Sequence, residues 1–214
     1  MMDRYKLIAE IVKGKRVLDV GCVDHSLKSR DITMWLHHVI CHNANYVLGM
    51  DYEKEAIDDL RKEGYNVICA DATDFDLNEK FDVIVAGEFI EHLVNPGLFL
   101  QCARKHLEDD GILVTTTPNA QGLIYFLQNL FIGHEIDNPD HVCFHSPRTL
   151  SALLYRSGFS VEQVSFIVGF TPQGHTNKLF FLVAWIKNVI KLPLYFLRPS
   201  MCHRFLVLSR RMML

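Results

Sequence analysis

The sequence predicts one doubly wound α/β domain built on a seven-stranded, mainly parallel sheet. Between Lys15 and Gly158, short β-branched runs alternate with amphipathic stretches, the pattern of repeated βαβ units. Those runs are apolar almost without a break, as strands covered on both faces are. The chain has 214 residues, 49% of them hydrophobic, enough for one large core. No repeat, low-complexity tract or linker divides it, so residues 1–214 are read as a single domain with insertions at 117–146 and 169–203.

The elements follow in order. A charged start, Met1 to Lys6, leads into a helical stretch, and the first strand runs from Arg16 to Val20. A helix containing Trp35, Leu36, Val39 and Ile40 precedes the second strand, Tyr46 to Met50. Ala56, Ile57 and Leu60 share one face of the next helix, which Gly64 ends. Strands follow at Asn66 to Ala70 and Asp82 to Ala86. The helix after Pro96 buries Leu98, Phe99, Cys102, Ala103 and Leu107 and stops at Gly111, ahead of the strand Ile112 to Thr116. Ser146 as N-cap and Pro147 in the first turn open a helix that runs through Leu150, Leu153 and Leu154 to Gly158. Strands at Ser160 to Val168 and Arg204 to Ser209 close the chain.

A formal charge of -3 and a pI near 6.4 leave no broad cationic surface for a phosphate backbone. Nucleic acid is therefore set aside, and a small-molecule or lipid-linked partner is favoured. The six cysteines, at 22, 41, 69, 102, 143 and 202, form no C-x-x-C pair and read as reduced thiols of a cytoplasmic protein. No secretory signal is visible, and the apolar run Leu179 to Ile186 falls far short of the ~20 residues of a spanning helix. Residues 177–198 mix Phe180, Trp185, Ile190 and Phe196 with Lys178, Lys187, Lys191 and Arg198. Such a segment suits a peripheral membrane contact, a cap over a greasy substrate, or packing on the sheet edge or on a second copy in a homodimer.

The first strand delivers Asp19 and Gly21 to the turn where sheets of this kind bind nucleotides. A carboxylate there suits a ligand with an amine and a sulfonium better than a pyrophosphate. Asp51, at the end of the second strand, can accept from both ribose hydroxyls, and Asp71 with Ala72 enters the same crevice after the third. Thirty residues separate Gly21 from Asp51, more than the ~20 of a dinucleotide fingerprint. In order and spacing, Val17-Leu18-Asp19-Val20-Gly21-Cys22, Asp51, Asp71-Ala72 and Phe81-Asp82-Val83-Ile84 leading to Glu91-His92-Leu93 resemble the motifs of class I S-adenosylmethionine-dependent methyltransferases over residues 15 to 165. The resemblance implies a Rossmann-like fold with its last strand antiparallel and S-adenosyl-L-methionine as cofactor. It implies Asp19, Gly21, Cys22 and Val23 beside the methionine part, Asp51 and Tyr52 at the ribose, Asp71 and Ala72 at the adenine, and Gly87 and Glu88 along the crevice. The family's first turn carries glycines where this chain has Val23 and His25; Gly21-Cys22-Val23, His25-Ser26 and Trp35-Leu36-His37 look like a subgroup with that variant turn.

Methyl transfer asks the protein to position an acceptor and take its proton. Glu88, Glu91 and His92 follow the fourth strand and would share one face of a helix at i, i+3 and i+4. This E-x-x-E-H pattern resembles that of ubiquinone-biosynthesis O-methyltransferases, where these positions are associated with a divalent metal. The alternative is that the glutamates complement a helix N-terminus and His92 packs under the sheet, and that reading is preferred to the metal. His92 and Glu88 are catalytic candidates, and by the same resemblance His141, Phe144 and His145 line the acceptor pocket. The resemblance and these residues together favour O-methylation, or less so N-methylation, of a small or lipid-linked acceptor. The rival readings are a methyltransferase-like binding module, in which Val23 and His25 have ended turnover, and a nucleotide-dependent oxidoreductase on the same sheet.

Overall fold

The structure, a computed structural model, describes residues 3–23, 35–134, 137–167, 195 and 197–212. Its strands are β1 (Arg16–Val20), β2 (Tyr46–Asp51), β3 (Val67–Cys69), β4 (Phe81–Gly87), β5 (Leu107–Pro118), β6 (Phe159–Ile167) and β7 (Arg204–Arg211). They form one sheet in the order β3-β2-β1-β4-β5-β7-β6. The first five are parallel, and β7 lies antiparallel between β5 and β6. The winding reverses at β1, so a crevice opens at the carboxyl ends of β1, β2 and β4, where such sheets take ligands.

Alternation along the strands sends neighbouring residues to opposite faces. Val17, Val83, Val85 and Val114 pack with Ile8 and Val12 of α1 (Arg4–Val12) and Ile40 of α2 (Leu36–Asn43). Leu18, Ile84 and Leu113 pack on the other side with Phe99, Leu100 and Ala103 of α4 (Pro96–His106) and Leu150 and Leu154 of α6 (Pro147–Arg156). Each fully buried side chain of this kind contributes roughly 1.5–3 kcal/mol. Ile57 and Leu60 of α3 (Lys54–Lys62) join Trp35 and Val67 in a third cluster. The Ser146 cap is present: its hydroxyl accepts from the Thr149 amide, and the Thr149 hydroxyl returns the bond to the Ser146 amide.

Several boundaries differ from the sequence reading. The helix after Pro96 ends at His106, because Leu107 pairs with Phe81 and so belongs to β5. Gly111 sits inside that strand's course, where an added Cβ would come 3.0 Å from the Glu108 backbone. Leu98 is on the exposed side of α4, and Trp35 caps α2 rather than lying in it. The insertion 117–146 contains α5 (Leu123–Ile132), of which only Tyr125 is buried. Glu88 to His92 form no α-helix: residues Ile90–His92 make a single 3-10 turn and Glu88 precedes it at φ 54. Among the described residues no helix is long and apolar enough to cross a membrane. His25, Ser26, Val168, residues 169–194 and Phe196 lie outside the described residues, and with them most of the 177–198 segment.

Candidate active site

At the crevice, Gly21 takes the left-handed backbone of the first turn, at φ 75. The Gly21 amide donates to the Met50 carbonyl at 2.9 Å, and the ring of Phe89 lies so close that a Cβ on Gly21 would meet it at 2.7 Å. Val23 needs no left-handed backbone, because its amide turns to the neighbouring strand and donates to Asp51 Oδ2 at 3.1 Å. Asp51 Oδ1 accepts from the Glu53 amide at 3.2 Å. A carboxylate has about four acceptor positions, so Asp51 is fixed in place with capacity left for two hydroxyls. Tyr52 is exposed beside it. Asp71 caps its own turn, accepting from the Thr73 amide and hydroxyl, both at 2.7 Å; those bonds hold its carboxyl below the usual range. This donor and acceptor set fits a nucleoside.

Beneath the turn, Asp19 is 2% exposed and its Oδ2 lies 2.8 Å from Nδ1 of His37, itself 1% exposed. Burial pushes the Asp19 carboxyl up, and His37 draws it back. For His37, burial opposes the charge, but the bonds to Asp19 and Cys41 outweigh it and the imidazole is pushed up to about 9. Asp19 is therefore already paired within the protein and is no bare charge offered to a ligand. Removing one partner of such a pair costs roughly 3–5 kcal/mol.

Across the crevice, Glu91 is 1% exposed. Its Oε2 accepts from the Thr117 hydroxyl at 2.9 Å, while its buried Oε1 has no hydrogen-bond partner. Burial, with the neighbouring charge of Glu88, pushes this carboxyl up to about 8. The Glu91 carbonyl accepts from the amides of Val142 and Cys143, which draws the 137–145 loop over the 3-10 turn. His141 thereby stands against His92, ring centroids 4.7 Å apart. Glu91, His92 and His141 each offer a ligand atom within 4.8 Å of the others. His92 Nδ1 donates to the Asp140 carbonyl at 3.2 Å. His141 Nδ1 donates to Asp137 Oδ2 at 2.8 Å, and the same oxygen accepts from the Tyr125 hydroxyl at 2.7 Å. Both rings are thus tied at Nδ1, which directs the basic role to Nε2.

The structure separates some residues that the sequence grouped. Glu88 leaves the expected metal set: on a left-handed backbone it pairs with Arg204 Nε at 2.6 Å and Arg4 at 3.6 Å, and His141 takes its place beside Glu91 and His92. Gly87 does not present a bare backbone to a ligand, because the Leu36 side chain fills the space where a Cβ would stand. His145 lies apart from the cluster, buried, with Nε2 3.2 Å from Cys143 Sγ. Burial lowers His145 and raises the Cys143 thiol, so both are neutral. Asp137, Thr117, Tyr125 and Arg204 were not read as site residues. Only Asp137 left a signal, an acid four positions before His141.

A family model described as a methyltransferase domain matches residues 1–164. The ubiquinone biosynthesis O-methyltransferase of Azorhizobium caulinodans is 30% identical over 172 residues, covering 73% of this chain and 63% of that protein. The (S)-coclaurine N-methyltransferase of Papaver somniferum is 31% identical over 113 residues, covering 53% of this chain and 32% of its own. The match thus spans about a third of that relative's length. Among solved structures, an S-adenosylmethionine-dependent methyltransferase from Archaeoglobus fulgidus superposes with a TM-score of 0.61 at 20% identity, covering 97% of this chain and 94% of that one. The Synechocystis magnesium protoporphyrin IX methyltransferase with bound S-adenosylhomocysteine gives 0.62 at 10% identity, covering 97% and 81%. Both show the shared fold.

Proposed function

The chain belongs to the methyltransferase-domain family of S-adenosylmethionine-dependent enzymes, and on that premise we propose that it methylates an oxygen of a small-molecule or lipid-linked acceptor. When bound, S-adenosylmethionine supplies an electrophilic methyl carbon that leaves its sulfur as a neutral thioether once the acceptor attacks. The chain's own tasks are to hold the nucleoside, seat the acceptor and take its proton. Asp51, Tyr52, Asp71 and Ala72 are the nucleoside side of the crevice, with Gly21 at the turn. The observation that carries the acceptor side is the gathering of Glu91, His92 and His141, with Glu91 Oε1 buried and unpaired. A hydroxyl holds its proton at neutral pH, and an imidazole beside it with Nδ1 already committed takes that proton at Nε2. A hollow of about 480 Å³ is lined by Leu93 and Val142, the sequence neighbours of His92 and His141, with Cys143, Phe144, His145 and Leu153, and Phe126, Leu130 and Phe131 of α5 are exposed. These surfaces support an acceptor with an apolar part.

Calorimetric titration with S-adenosylhomocysteine tests the first half. Micromolar binding is expected, with Asp51→Ala weakening it at least tenfold; no binding by the wild-type chain would sink the reading. Acceptors are then found by S-adenosylhomocysteine release from phenols and catechols with graded alkyl tails.

A second reading rests on the same cluster. One carboxylate and two imidazoles suit a hard or borderline divalent cation, and the carboxylate of Asp137 behind His141 is the outer partner that metal-binding histidines usually have. Glu91, His92 and His141 would hold the ion, which would act as a Lewis acid on the acceptor oxygen. Turnover abolished by a chelator and restored by magnesium or zinc supports this; turnover indifferent to chelation leaves the imidazoles as the bases.

A further inference from the structure

Three consecutive side chains at the start of α2 each dock on a different part of the crevice floor. The Trp35 indole donates from Nε1 to the Cys22 carbonyl at 2.9 Å, directly at the turn after β1. Leu36 enters the bare face of Gly87 at the end of β4, where an added Cβ would lie 2.5 Å from Leu36 Cδ2. His37 pairs with Asp19 on β1 at 2.8 Å and also fills the bare face of Gly49 on β2, where a Cβ would lie 2.6 Å from its Cε1. Asp19 and Gly49 are direct neighbours in the sheet register. The imidazole is therefore wedged at a point where β1 and β2 meet.

We propose that Trp35, Leu36 and His37 form a clamp that sets the first turn of the cofactor crevice from below. They are positioning residues for S-adenosylmethionine, acting in place of the glycines that this turn lacks. A glycine-rich turn brings its backbone close to a ligand by having no side chains. Here the backbone from Gly21 to Val23 carries two side chains and is held instead by contacts on its inner side: Trp35 on the Cys22 carbonyl, His37 on Asp19, and Asp51 on the Val23 amide. Gly49 and Gly87 serve the clamp, not the ligand. Gly87 gives up its Cβ to Leu36, and Gly49 gives up its own to His37 together with Val67 and Cys22. The three contacts reach β1, β2 and β4 together, so α2 fixes the relative position of the strand ends that border the crevice.

The inference rests on the crevice being the cofactor site, and the test separates the two. Wild type, Trp35→Phe, His37→Leu and His37→Asn are titrated calorimetrically with S-adenosylhomocysteine, and amide hydrogen exchange is followed on the unliganded proteins. Trp35→Phe keeps the ring but loses the indole donor, and binding is expected to weaken about five- to tenfold, the scale of one lost hydrogen bond to the turn. His37→Leu is expected to weaken it more. His37→Asn, whose amide nitrogen can stand where Nδ1 stood, is expected to restore most of the affinity. In Trp35→Phe, exchange should quicken at residues 21–23 and leave the β4 and β5 amides as in wild type. Wild-type affinity in both Trp35→Phe and His37→Leu would overturn the clamp, as would exchange in Trp35→Phe that quickens throughout the sheet alongside the loss of binding. Should His37→Leu not fold, Trp35→Phe decides alone. Failure of the wild-type chain to bind would overturn the cofactor reading instead.

Discussion

Two buried acids flank the crevice, and their surroundings are opposite. Asp19 has its partner: His37 stands 2.8 Å away and the pair is closed from solvent. Glu91 is as deeply buried, yet one oxygen has only a threonine hydroxyl and the other nothing. The first arrangement is complete, and a completed buried pair serves position rather than reaction. The second is incomplete, with a carboxyl pushed up to about 8 and two imidazoles at hand. An unsatisfied carboxyl beside two imidazoles is a chemically open arrangement, suited to receive a partner. Burial alone does not distinguish structure from chemistry; the presence or absence of a partner does.

The largest test of that contrast is to remove the imidazoles of the incomplete side. His141→Ala is expected to lower kcat with the best acceptor at least a hundredfold, the range for loss of a general base, and to leave S-adenosylhomocysteine affinity unchanged. Asp137→Asn should do less, about tenfold in kcat, because it takes away the oxygen that receives His141 Nδ1 and the Tyr125 hydroxyl but leaves the ring. Equal losses in the two variants would mean that the loop has collapsed, and unchanged kcat in His141→Ala would leave His92 as the residue to pursue.

The sheet was legible in the sequence because buried parallel strands announce themselves as short apolar runs, and all seven lie where those runs are, within a few residues. The errors have local causes. Leu107 fits the apolar face of α4 by spacing, and only its pairing with Phe81 assigns it to β5. The i, i+3, i+4 argument for Glu88, Glu91 and His92 presumes a helix, and one left-handed residue undoes it. Gly21, Asp51 and Asp71 were easier to place than the acceptor-side residues, because each stands at or within two residues of a strand's end, a position that periodicity fixes. On the acceptor side, contacts are made by loops and by distance in sequence: Arg204 reaches Glu88 across 116 positions, and Thr117 reaches Glu91 across 26. No spacing rule registers such pairs.

The smallest effect expected concerns the pH dependence of stability. The Glu91 carboxyl moves from an ordinary value of 4.5 to about 8 in the folded chain. The folded state therefore keeps a proton that the unfolded chain releases. Its contribution to stability is present in full below about 4.5, declines as pH rises, and is gone above about 8. Glu91→Gln keeps the shape and an acceptor for Thr117 but has no proton to lose. Melted in the presence of a chelator, so that no cation holds the carboxylate ionised, the variant should gain on wild type steadily from pH 5 to pH 8 and then hold its lead. A gain of ~1 kcal/mol would appear as about 2–4 °C in Tm for a domain of this size. A difference that stays flat across that range would make Glu91 an ordinary ionised carboxylate with an unseen partner, and the contrast with Asp19 would fall.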